Sequence, residues 1–292
     1  FWVSNYGLSN IIGGFVFGIG MVYGGGCASG TLYRAGEGYI HYWLLLISAC
    51  VGYIAFAALF PEVFLPYFFV PLQIFDGYSV ISSLELFSPI VPVLLISAAV
   101  IYLRSKNKLV INQTIQGLKI SNISSESLKA EWDTKLVGVG MGILATLWFV
   151  VWGTLSVTGP QARWTGLVYS EIFGIETLQN NIYWNSVVFR DGIFSISLDM
   201  ILFVSLIIGA FISAYLSGDF KIRTMKRSRV PNAVIGGLIM GFGSRMAPGC
   251  NISNTFSGLA FLSVAGFITS LGLLLGVYVA THWMFRKSGC AI

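Results

Sequence analysis

Cys27 and Cys250 hold the same slot in a segment that the chain carries twice. Residues 13–27 read GGFVFGIGMVYGGGC and residues 236–250 read GGLIMGFGSRMAPGC. Gly13, Gly14, Gly18, Gly20, Gly26 and Cys27 fall on Gly236, Gly237, Gly241, Gly243, Gly249 and Cys250. With 34 glycines in 292 residues, chance supplies roughly one such identity, so the pair reads as an internal repeat. A thiol is a weak hydrogen-bond donor on a polarisable sulfur. It suits a soft, sulfur- or selenium-bearing anion and holds a hard hydrated ion poorly. Any single cysteine has a plainer role as a small apolar packing residue. Recurrence in a duplicated polar break favours the chemical role for Cys27 and Cys250.

The flanking residues point the same way. Ser29 and Thr31 follow the first cysteine, and Asn251, Ser253 and Asn254 follow the second. These are helix N-cap types. A helix start facing a cavity aims free N–H groups and the positive dipole end at it, which favours an anion. Arg34 lies just past the first break and Arg245 inside the second; ionisable residues at membrane depth are costly and usually functional. The plain alternatives are an Arg34–Glu37 pair and an Arg245 that snorkels to an interface. Gly14/Gly18 and Gly237/Gly241 are GxxxG pairs and read as helix packing. That does not account for the Gly-Cys breaks at Gly26 and Gly249.

The elements around these residues must span a membrane. Hydrophobic residues make up 55% of the chain and charged residues 10%, against about 25% charged in a soluble domain. Residues 1–292 read as one membrane domain, with a first repeat over about 10–103 and a second over about 232–286. Provisional crossings fall at 10–24, 39–60, 88–103, 135–157, 192–216 and within 256–285. Residues 61–86 suit an interfacial or re-entrant segment, and 163–191 an exposed connection with interfacial aromatics. Five crossings separate the starts of the two copies. An odd number makes them enter from opposite sides, the topology of inverted repeats whose broken helices meet near the midplane. The expected fold is therefore an all-α integral membrane protein, a pseudo-symmetric inverted-repeat bundle with broken half-helices meeting at a central constriction.

Charge supports a multi-pass protein of the cell (inner) membrane. Of the 29 charged residues, 17 lie in three net-positive stretches at 104–135, 219–229 and 286–287, which the positive-inside rule places in the cytoplasm. Such short basic runs beside apolar spans argue against nucleic acid as a partner. They could dock a cytoplasmic protein, although topology alone accounts for them. The four cysteines, Cys27, Cys50, Cys250 and Cys290, form no CxxC pair, so no metal site is expected and no cofactor is implied. Residues 1–10 show no cleavable signal. No nucleotide-binding motif is present to drive transport.

GGGCASGTLYRAGEG at 24–38 and GFGSRMAPGCNISNTFSGLA at 241–260 resemble the two signature segments of the YeeE/YedE membrane family, whose members take up thiosulfate. WGTLSVTGPQARW at 152–164 resembles the Trp and Thr-Gly-Pro segment of the YedE-like branch. The resemblance implies a helical bundle pinched at the middle, with cysteine thiols handing the ion along by transient hydrogen bonds. Cys27 and Cys250 fall on the Gly-Cys positions. A third cysteine is commonly on the path, and Cys50 is the one at suitable depth; by itself it reads as a packing residue. A cytoplasmic sulfurtransferase that consumes the ion could drive net flux. The YedE-like branch has been connected with selenium metabolism, which makes a selenium oxyanion the alternative substrate.

Two enzyme readings compete. A Ser–His hydrolase would need His41 or His282, the two histidines, within hydrogen-bond reach of Ser29. A membrane-embedded sulfurtransferase would carry a persulfide on Cys27 or Cys250. Both rank below transport.

Overall fold

A computed structural model describes residues 7–64, 134–189, 196–260 and 263–287. The crossing expected at 88–103, Cys290 and most of the stretch expected to be re-entrant lie outside these residues. The described residues form helices α1 (Leu8–Gly24), α2 (Ala28–Gly36), α3 (Ile40–Leu59), α4 (Thr134–Val151), α5 (Thr158–Phe173), α6 (Ile175–Asn180), α7 (Ile182–Val188), α8 (Leu198–Ser217), α9 (Val230–Met246) and α10 (Val264–Lys287). Short π-helical turns follow α3 at Phe60–Phe64 and precede α10 at Ile252–Gly258. The protein is all-α, and among the described residues four segments are long and apolar enough to cross a bilayer: Leu8–Gly36, Ile40–Phe64, Leu198–Ser217 and Val264–Met284. Their outward faces carry bare Leu, Ile and Val, with Leu274 of α10 63% exposed. Such a surface is stable against lipid and costly in water.

Glycine sets how closely these helices approach. On α1, Gly13 lies against Met246 and Ala247, Gly20 against Met240, and Gly24 against Gly236, with Gly243 of α9 against Phe17. Each step forward along α1 is a step back along α9, so the two copies of the repeat run antiparallel, backbone on backbone. The other face of α1 meets α10: Gly14 sits on the Thr269 carbonyl and Gly18 on the Leu273 carbonyl. The other face of α9 meets α3 in the corresponding way, Gly237 on the Leu45 carbonyl and Gly241 on the Ala49 carbonyl. The layer order is α10, α1, α9, α3. Without a hydrophobic drive inside lipid, such close small-residue contacts and their dispersion energy hold helices together.

The antiparallel overlap decides where the chain breaks. Gly24, the last residue of α1, is level with Gly236 near the start of α9, whereas Ala247, just past α9, is level with Gly13. Eleven residues of helix separate those levels, about 16 Å at 1.5 Å per residue. The two breaks thus lie at different depths instead of facing each other at one level. Each helix runs the full length of the overlap before it ends, which puts the ends at opposite extremes.

Residues 163–189, within the connection expected at 163–191, depart from expectation. They form α5 to α7, not an exposed connection, and bury Ala162, Leu178, Tyr183 and Trp184 against Tyr53 and Phe56 of α3. The aromatics that read as interfacial are core: Phe56 meets Tyr183 and Phe242 edge-on. An ion pair fastens this unit to α8. Arg163 donates to both Asp199 oxygens, at 2.7 and 2.6 Å, and its Nε donates to the Val187 carbonyl at 3.1 Å.

The loop after α8 fixes the orientation. Arg223 N–H donates to the Gly38 carbonyl at 2.9 Å, and Ile40 N–H donates to the Arg223 carbonyl at 3.3 Å. The basic loop is thereby stitched to the turn between α2 and α3, beside the first break. The positive-inside rule makes that end cytoplasmic.

Candidate functional site

The first break is built by two glycines and a thiol. Gly25 takes φ +74° and its N–H closes α1 on the Val22 carbonyl. Gly26 leaves room for the Arg34 guanidinium, which a Cβ there would approach to 3.2 Å. Cys27 is itself the N-cap of α2: its sulfur accepts the Gly30 N–H at 3.4 Å and meets Ser29 Oγ at 3.2 Å. The sequence pointed to Ser29 and Thr31 for capping. Thr31 is instead fully buried, donating to the Cys27 carbonyl at 2.8 Å. This N-cap pins the Cys27 sulfur at a helix start while leaving the residue half-exposed.

Among the described residues Arg34 has no carboxylate partner. It donates to the Gly25 carbonyl at 3.0 Å and to Tyr42 Oη at 2.6 Å, so the expected alternative of a pair with Glu37 is not the arrangement found. The guanidinium takes up the carbonyl that the end of α1 leaves open. Nearby lies a cavity of about 450 Å³ lined by Tyr33, Glu37, Tyr39, Asp219 and Arg223. Its two carboxylates suit it poorly to an anion.

The second break differs in chemistry. Gly249 takes φ +148°, and a Cβ there would run into Ser253 Oγ and Asn254 Nδ2. The Cys250 N–H donates to Ser253 Oγ at 2.8 Å, and Asn254 Nδ2 donates to the Ala247 carbonyl at 3.1 Å. Ser253 and Asn254 therefore stitch the break closed. Asn251, half-buried, opens the π turn without a side-chain cap. Cys250 is 2% exposed and belongs to a buried cluster with Phe17, Val157 and Leu273.

Arg245 does not snorkel. Its Nη2 donates to Thr158 Oγ1 of α5 at 2.7 Å, and its Cζ lies 5.3 Å from the centre of the Tyr53 ring. Tyr53 is fully buried and donates to Gln161 Oε1 at 2.9 Å. Gln161 Nε2 donates to the Leu46 carbonyl at 3.1 Å and reaches towards Cys50 Sγ at 3.8 Å. One polar cluster thus joins Arg245, Thr158, Tyr53, Gln161 and Cys50 inside a membrane-depth core. Sequence reasoning missed Tyr53, Thr158 and Gln161. A readable signal existed: Thr158-Gly159-Pro160 is a helix start, since proline fits the first turn. That start makes Gln161 a helical residue facing α3 rather than a residue in a loop.

Cys50 falls between the two breaks. Its neighbour Ala49 packs on Gly241, five residues along α9 from the level of the first break and six from that of the second. By helical rise the Cys50 level is about 8 Å from each.

The hydrolase reading finds no support in the geometry. Ser29 Oγ meets Cys27 Sγ, while His41 Nε2 meets the Gly24 carbonyl at 3.1 Å and its Nδ1 meets Met225 Sδ at 3.0 Å. His282 stacks on Tyr278 at the exposed side of α10.

Comparison with known proteins agrees with this architecture. A family model described as Sulphur transport matches residues 2–279. The chain is 29% identical over 286 residues to the thiosulfate transporter TsuA of Escherichia coli (strain K12), covering 96% of this chain and 75% of that protein. It is 31% identical over 291 residues to the thiosulfate transporter TsuA of Spirochaeta thermophila, with 96% and 78% covered. A probable transporter, YedE of Salmonella typhimurium, is 31% identical over 154 residues, 52% of this chain and 38% of that one. With its membrane-length helices and relatives named as transporters, the chain belongs to the sulphur transport family and is a multi-pass membrane transporter rather than an enzyme.

Proposed function

We propose that this protein takes up thiosulfate, and that Cys250, Cys50 and Cys27 are successive stations of its path. What supports the reading is the staggered level at which each cysteine's helix neighbours pack, one near each break and Cys50 about midway. A stagger of about 8 Å per step suits an ion that is handed on without a deep binding site, because conduction needs each site weak enough to leave. A soft thiosulfate sulfur fits a polarisable thiol better than a hard, hydrated ion does. The antiparallel copies, each flanked by an equivalent helix, support an inverted-repeat bundle in which access comes from both faces. Gly26, Gly249, Ser29, Asn251 and Ser253 shape the two breaks, and Arg34 guards the cytoplasmic one. Net inward flux then depends on consumption of the ion in the cytoplasm, the step a sulfurtransferase supplies.

The test is uptake of radiolabelled thiosulfate into proteoliposomes. Cys27→Ala and Cys250→Ala each abolish uptake at unchanged expression, and Cys290→Ala has no effect. Normal transport by Cys250→Ala ends the reading.

A further inference from the structure

One half-buried group, Arg245, has no role in a relay made of thiols alone. Arg245 keeps a full positive charge at membrane depth, and no carboxylate pairs with it among the described residues, where the ion pair found is Arg163–Asp199. A lone cation in such a place is expensive. The Tyr53 ring face and the Thr158 hydroxyl soften that cost, but neither carries charge. The guanidinium has five N–H donors, of which one is spent on Thr158 and one makes a long 3.5 Å contact with Ser244 Oγ.

A second observation comes from a different helix. Tyr183 of α7 is buried, and its Oη finds no hydrogen-bond partner. It lies within hydrogen-bonding reach of the same guanidinium, although the geometry does not complete a bond, and Cys250 is a further neighbour of Arg245. A buried, unsatisfied hydroxyl beside an unpaired cation is what an anion site looks like before its ligand arrives. Tyr53, whose hydroxyl is committed to Gln161, offers only its ring. The repeat does not duplicate this arrangement: the position matching Arg245 in the first copy is Val22.

We propose that Arg245, Tyr183 and Thr158 form an oxyanion subsite on the extracytoplasmic side of the path, where the guanidinium and the Tyr183 hydroxyl hold the oxygens of a chalcogen oxyanion and Cys250 meets its sulfur. The subsite rests on the transport reading and adds the group that selects charge. The thiols admit a soft atom; the arginine requires that it arrive on an anion. The first break has its own arginine, but Arg34 is committed to the Gly25 carbonyl and Tyr42 Oη, so the two breaks meet an anion differently although the helices around them are paired.

The test uses the whole chain, in proteoliposomes for uptake and in detergent for thermal-shift titration with sodium thiosulfate and sodium sulfate. In wild type, thiosulfate raises the melting temperature. Tyr183→Phe keeps the melting temperature without ligand at or above the wild-type value, and raises the KM for uptake about tenfold while the maximal rate holds. Arg245→Gln loses stabilisation by thiosulfate, and Arg245→Lys restores part of it. The subsite is overturned if Tyr183→Phe lowers the ligand-free melting temperature and leaves KM unchanged, since the hydroxyl is then structural. Full ligand stabilisation in Arg245→Gln overturns it as well. Anion-dependent stabilisation that needs Arg245, without any uptake, keeps the subsite and removes the transport reading. Uptake with unchanged KM in both variants does the reverse.

Discussion

Gly24 of α1 rests directly against Gly236 of α9, each at one end of its own copy of the repeat. A Cβ on Gly236 would come to 2.5 Å from the Gly24 backbone nitrogen, so the contact admits no side chain on Gly236, whereas one on Gly24 would meet Leu45 Cδ1. It sets both the distance between the two helices and the level of the first break.

Gly20→Ala follows from the same packing. Its Cβ would meet the Met240 backbone at 2.5 Å, and rigid backbone cannot yield as a side chain can. A loss of about 1–3 kcal/mol is expected, read as a lower melting temperature and a poorer monodisperse yield. Gly140→Ala is the contrast: nothing described lies within 4 Å of its Cβ position. It should be neutral or stabilise α4 by up to about 1 kcal/mol through helix propensity. Equal losses in the two variants would remove the close-packing account.

The two thiols should differ in reach. Cys27 is half-exposed beside the loop stitched at Gly38, and Cys250 is buried. A membrane-impermeant maleimide applied from the cytoplasmic side should label Cys27 far faster than Cys250. Labelling of Cys27 only from the opposite side would reverse the orientation assigned by charge.

Tyr53 separates a ring from a hydroxyl. Tyr53→Phe keeps the face under Arg245 but leaves Gln161 Oε1 buried and without its donor, at a cost of about 1–3 kcal/mol. Stability should fall while the KM for uptake stays. Tyr53→Leu removes the ring as well and should raise KM. A raised KM already in Tyr53→Phe would mean that the Tyr53–Gln161 bond itself shapes the path.

Asp199→Asn removes the charge that Arg163 meets through both carboxylate oxygens. With the pair largely buried, at 20% and 12% exposure, the stranded guanidinium should cost about 3 kcal/mol. Arg163→Lys should not restore stability in the native Asp199 background, because a lysine cannot bridge both oxygens and also reach the Val187 carbonyl. Wild-type melting in Asp199→Asn would show that α5 and α8 are held by apolar packing alone.

Much of this protein is legible in its residue order. Low charge and long apolar runs determine a membrane bundle, because lipid forbids anything but satisfied backbone on its exposed faces. The duplicated glycines determine close helix contacts, and the paired Gly-Cys breaks mark Cys27 and Cys250. The basic run at 219–229 orients the chain. All of these are local signals, read within one or two turns.

What tertiary structure alone decided is which distant residues share a space. Tyr53, Gln161 and Tyr183 sit on three helices separated by more than a hundred positions at the widest, and no spacing in the chain brings them to Arg245. The depth of each break was equally hidden: it depends on how far α1 and α9 overlap, and that register is set by glycine contacts across the pair, not by either helix. The Arg34–Tyr42–Gly25 bonds replaced a nearer, sequence-plausible Glu37 for the same reason. A guanidinium goes to the acceptors that folding strands beside it, and which acceptors are stranded is known only once the helices have packed.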